Sequence, residues 1–178
     1  MTASMSIFAP LKEATLRRAL QSRRGSSAVE FAILAIPLVT LFVGIIEISW
    51  QLTTGAALDE AVLRASRFGM TGQATVSGEP AQNTCRSQTI RWIITGSFGG
   101  ILKDANLTVS TGSYGSASGL SGGGLPAAGS GTGGQIVTYT VTYKQPFLTG
   151  IWVNLIGASL THQATVVVKN EPFDNATC

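Results

Sequence analysis

The stretch AVEFAILAIPLVTLFVGIIEISW, residues 28–50, decides how this chain folds. Its 23 residues carry only Glu30 and Glu47 as charges. As a helix it runs about 34 Å, enough to cross a hydrocarbon core about 30 Å thick. An acidic side chain in such a segment costs about 2.5–3.5 kcal/mol at the bilayer centre and less near its edge, so it usually has a partner. Glu30, at the mouth of the segment, is therefore read as functional.

Upstream lies a basic leader. Residues 1–25 hold Lys12, Arg17, Arg18, Arg23 and Arg24 against Glu13, whereas residues 26–178 hold seven basic and eight acidic side chains. The overall charge of +3 thus belongs to the leader, and the rest of the chain offers no basic surface for nucleic acid. Lys and Arg stay on the cytoplasmic side of a span. This orientation places residues 51–178 outside the cytoplasm, as one α+β domain on a single transmembrane helix. An ordinary secretory signal needs a shorter apolar run and a small-x-small cleavage site. Here the run is longer and continues into more helix, which favours a cut before the span.

Within the span, Glu30, Pro37 and Gly44 recur at sevens and fall on one narrow stripe of an α-helix. Pro37 cannot donate to the carbonyl of Ile33 and is expected to kink or loosen the helix. Gly44 permits close approach of another helix. Glu47 and Trp50 mark the outer interface, where tryptophan anchors at headgroup level.

Beyond the span, Leu58, Ala61, Val62, Ala65 and Phe68 keep three-and-four spacing, with Asp59, Glu60, Arg64 and Arg67 on the polar side. The pattern predicts one helix from about Ser27 to about Phe68, ended by Gly69 and Gly72. A second helix is expected over about 82–102, weakened by Gly96, Gly99 and Gly100. Strands are expected at Leu107–Ser110, at Ile136–Tyr143, where threonines alternate with Val and Tyr, and at Ser159–Lys169. Phe147–Ile156 reads as a short helix or turn over the sheet edge. Residues 112–134, rich in Gly and Ser, are expected to form a flexible loop. They lack the lysine and following helix of a phosphate-binding loop. Helices followed by an antiparallel meander imply α+β layer packing.

Gly25-Ser26-Ser27-Ala28-Val29-Glu30-Phe31 resembles the processing site of type IV pilin-like proteins, in which a membrane prepilin peptidase cuts after the glycine. Arg24-Gly25, Ala28-Val29-Glu30-Phe31-Ala32, Pro37 and Gly44-Ile45-Ile46-Glu47 are similar to the signature of TadE-like pseudopilins of the tight-adherence (Tad/Flp) pilus system. The resemblance covers about 25 residues and elsewhere is one of layout. It implies a long helix continuing into a pilin-like domain, cleavage between Gly25 and Ser26, and subunit assembly through Glu30, Phe31, Pro37, Gly44 and Glu47. It also implies as partners the prepilin peptidase, other pilin-like subunits and the Tad inner-membrane assembly platform, besides the lipid bilayer. The expected place is the bacterial inner membrane, with the leader cytoplasmic and the C-terminal domain periplasmic. Major pilins of the system are much shorter, which argues for a minor role in pilus biogenesis and adhesion.

After such a cut, Ser26 carries an α-ammonium that the Glu30 carboxylate can neutralise in its own helix or a neighbour's. A buried pair of this kind sets register more than it stabilises, because stranding one partner is costly. The alternative for Glu30 is an interfacial glutamate that snorkels without a partner. In an oxidising compartment Cys85 and Cys178 can close a loop of about 94 residues, worth about 4–5 kcal/mol on the chain-entropy view; two free thiols are the other reading. No metal-ligand spacing involves them, the single histidine, His162, sits in an expected strand, and no cofactor or catalytic constellation is visible. Two further readings stay open: an uncleaved single-pass scaffold or binding protein of the secretion apparatus, and a secreted domain released by an ordinary signal peptidase.

Overall fold

A computed structural model describes residues 26–80 and 83–174. The expected leader with Gly25, and the C-terminal Cys178, lie outside these residues. The chain divides into two units, 1–45 and 46–178.

Helix α1, Ser26–Met70, is a single 45-residue helix that is assigned without interruption through Pro37. In the first unit none of residues 27–45 is buried. Phe31 and Ile36 are about 70% exposed (72% and 71%), so the described residues leave most of this apolar stretch uncovered. The Thr40 hydroxyl donates to the Ile36 carbonyl at 2.8 Å, which satisfies a polar group within the uncharged run 31–46.

The second unit mixes helix and antiparallel sheet, the α+β class expected. The outer part of α1 presents Leu58, Ala61, Val62 and Ala65, all buried, at the spacing that puts them on one helix face. They join a core with Ile90 and Ile94 of α2 (Arg86–Gly96), with Leu102 and Leu107, and with Val137, Tyr139, Val141 and Tyr143 of the sheet. The sheet has four strands in the order β2-β1-β3-β4, with β1 Leu107–Tyr114, β2 Ala127–Ala128, β3 Ile136–Pro146 and β4 Ser159–Lys169. All its pairings are antiparallel. In β3 every second residue from Val137 to Gln145 is buried, while Thr138, Thr140 and Thr142 are partly exposed. An antiparallel sheet can wet one face in this way.

Three expectations are corrected. The second helix is shorter than 82–102: it begins at Arg86, where the Gln88 side chain reaches back to the Thr84 and Cys85 amides (2.9 and 3.1 Å), and it ends at Gly96. A 3₁₀ turn follows at Ser97–Gly100, with Phe98 at φ 56°. Strand β1 runs four residues past Ser110, because Thr111 to Tyr114 pair with Tyr139 to Ile136. Residues 112–134 are not a featureless loop. They hold the end of β1, a short helix α3 (Ala117–Ser121) and β2. The order comes from hydrogen bonds rather than apolar burial. Ser116 caps α3 by accepting from Gly119 N at 3.2 Å, and Ser113 Oγ donates to the Ala127 carbonyl at 3.2 Å.

Candidate functional site

The residues singled out for assembly sit mostly on the uncovered stretch of α1. Ser26 opens the helix, and Glu30, Phe31, Pro37 and Gly44 follow along it. Glu30 is exposed and Gly44 half-exposed. Glu47 differs. It belongs to the second unit, is buried, and binds its own chain.

One Glu47 carboxylate oxygen accepts from the Leu148 amide at 2.8 Å; the other accepts from the Thr149 amide at 3.1 Å and the Thr149 hydroxyl at 3.2 Å. A carboxylate acceptor makes each bond stronger than a neutral one. The clamp docks the segment after β3, which contains the four-residue helix α4 (Val153–Ile156), onto α1. One turn further on, Gln51 is buried and its Oε1 lies 3.0 Å from His162 Nε2 on β4. Gly55 gives that imidazole room, since a Cβ there would come 3.3 Å from His162 Nδ1. Burial holds the His162 pKa below its ordinary value, with Asp59 pulling the other way. Between these polar ties lies a groove of about 340 Å³, walled by Ile48, Leu52, Phe147, Trp152, Ile156 and Leu160.

A second knot lies around Arg86, fully buried at the start of α2. Its guanidinium donates to the Gly69 carbonyl at 3.0 Å and the Gly131 carbonyl at 2.8 Å. It also stands 5.0 Å from the ring centre of Phe173, within cation–π range. Burial lowers the Arg86 pKa and raises that of the neighbouring Tyr139. Gly131 is at φ +67°, a conformation that glycine adopts without strain. Asn170 Nδ2 donates to the Ser130 and Thr132 carbonyls, both at 3.0 Å. Together these bonds fix residues 130–132 at the end of the Gly/Ser-rich segment.

Cys85 immediately precedes α2 and is not a free thiol. Among the described residues, no group of three or more His, Cys, Asp and Glu is placed to hold a metal ion. The sequence reading does not single out Arg86. It also set Glu47 at the interface without its partners, which lie 101 and 102 residues away in the segment whose structure was ambiguous. The signal that could have found the first is spacing: Arg86 lies four residues before Ile90 and eight before Ile94, on the helix face those two bury.

The arrangement defines a class: an α+β protein whose N-terminal helix is long and apolar enough to cross a membrane once. A family model described as TadE-like protein matches residues 25–67, the segment that runs from the expected processing glycine to the core face of α1. No curated protein and no solved structure matches the chain.

Proposed function

We propose that this protein is a minor pseudopilin of the Tad/Flp pilus apparatus, cut after Gly25 by a prepilin peptidase and held in the bacterial inner membrane with residues 51–178 on the periplasmic side. The observation that carries the reading is the TadE-like match over residues 25–67, on a helix in which none of residues 27–45 is buried by the described residues. Glu30 neutralises the new α-ammonium of Ser26 and sets register with other pilin-like subunits. Phe31, Pro37 and Gly44 supply the packing surface of that contact. The Cys85–Cys178 disulfide closes the periplasmic domain. The role is structural, in pilus assembly and the adhesion and secretion that depend on it, and no catalytic role is assigned.

Intact mass and N-terminal sequencing of the membrane-extracted protein test the proposal. A chain beginning at Ser26 supports it. A chain beginning at Met1 favours an uncleaved scaffold of the secretion apparatus, and one beginning beyond Trp50 favours a secreted domain. A Glu30→Gln variant is expected to be processed yet fail to co-purify with other pilin-like subunits.

A further inference from the structure

The segment after β3 is apolar where a water-facing surface is normally charged. From Gln145 to Val168 there is no Asp, Glu, Lys or Arg. Within it Leu148, Ile151, Val153 and Ile156 are exposed, by 55%, 51%, 42% and 63%, and they fall within nine consecutive residues. Exposed apolar side chains this dense mark an interaction surface. The groove described above opens beside them, walled by Ile48 and Leu52 of α1, themselves exposed.

Covalent connection favours one occupant for this surface. Glu47, whose carboxylate holds the Leu148 and Thr149 amides, directly follows Ile46, the last residue of the uncharged run 31–46. Twenty helical residues, 28–47, span about 30 Å, the thickness of the hydrocarbon core. On the reading of α1 as a membrane span, the clamp ties the segment to the point where the helix leaves the bilayer. Trp152 stands in the groove, and Trp50 lines a neighbouring cleft with Lys103 and Leu148. Tryptophan is enriched at the headgroup level, and an ammonium there can meet a lipid phosphate.

From this we infer that residues 147–157 form a second, monotopic membrane contact. Leu148, Ile151, Val153 and Ile156 enter the outer-facing leaflet of the bilayer that α1 spans, and the groove against α1 takes part of a phospholipid acyl chain. Interfacial amphipathic helices bury their apolar face about 5–10 Å into the headgroup and acyl boundary. The inference rests on reading α1 as a membrane span, and it does not depend on cleavage at Gly25 or on a role in pili.

The full-length protein is reconstituted into phosphatidylcholine and phosphatidylglycerol vesicles. Retention after alkaline carbonate washing is measured first. Loss from the vesicles at this step would defeat the span reading, and this inference with it. In retained protein, Trp50→Phe with Trp92→Phe leaves Trp152 as the sole tryptophan. Its emission is expected to be blue-shifted and to fall about twofold with lipids brominated on the acyl chain, as for a boundary-level side chain. Trp92, isolated by Trp50→Phe with Trp152→Phe, is expected to stay unquenched. Red-shifted, unquenched Trp152 emission would place the segment in water. Blue-shifted but unquenched emission would place it under protein, including a second copy. Either result overturns the inference while leaving the span intact. Should the tryptophan variants fold poorly, benzoylphenylalanine at position 151 gives an independent reading: photo-adducts of lipid mass support the contact, and adducts of chain mass overturn it.

Discussion

Replacing Glu47 with Gln changes one oxygen to an NH2 and keeps the size. The carboxylate accepts three hydrogen bonds, one on one oxygen and two on the other. The amide can keep only one of those sides, and its NH2 must then face a backbone N–H as donor against donor. Each bond to a charged acceptor is worth about 1.5–3 kcal/mol, and a buried N–H left unmet costs about 1–3 kcal/mol. The loss expected is therefore about 2–4 kcal/mol of docking free energy for the segment after β3. A domain of this size loses about 2–4 °C in Tm per kcal/mol, giving a fall of roughly 4–16 °C where docking and the sheet unfold together. The segment can undock without melting the sheet, so local hydrogen exchange is the primary assay. In Glu47→Gln the Leu148 and Thr149 amides should exchange at least tenfold faster, while Val141 and Val166 in the sheet keep their protection. Unchanged protection at 148 and 149, with an unchanged Tm, would refute the clamp.

Arg86→Met keeps the stem but leaves the Gly69 and Gly131 carbonyls unmet. Exchanging a buried charge for an apolar group is sometimes stabilising, but here a buried and a part-buried acceptor lose their donor, so urea denaturation should show a loss of about 2–4 kcal/mol. Gly69→Ala gains about 1 kcal/mol of helix propensity, yet its Cβ would overlap the Tyr139 hydroxyl and lie 2.9 Å from Cζ. Overpacking costs about 1–3 kcal/mol, so calorimetry should show a net destabilisation. His162 has a folded-state pKa below its ordinary value, so the folded state favours the neutral ring. That contribution is full above about pH 6.5 and is lost as pH falls through the folded pKa. His162→Gln should flatten the fall in Tm between about pH 7.5 and pH 5 relative to the parent.

Much of the scaffold could be read directly from residue order. The alternation of Thr with Val and Tyr in β3 survives as alternating burial, because a strand's period of two holds whatever lies above it. The Ser159–Lys169 strand ends where expected, and α1 extends two residues past Phe68. What stayed hidden depends on partners distant in the chain. Residues 129–134 take their shape from Arg86 and Asn170, and composition alone, which points to a flexible linker, carries no trace of either. Glu47 looks like any interfacial glutamate until the 148–149 amides arrive. The early end of α2 reflects Gly96 and the reversed backbone at Phe98, a choice that the regular spacing of isoleucines conceals.

The glycine-rich segment is fastened at both ends and bare in the middle. Pairing of β1 with β3 holds one end, and Arg86 with Asn170 holds the other. Between them Leu125 is 97% exposed and residues 121–124 are open as well. Lengthening a loop by a factor of two adds only about 0.6 kcal/mol of closure entropy. The tip at 121–125 is thus the place where this protein can drift in length, or carry a grafted epitope or affinity tag, without the sheet registering the change.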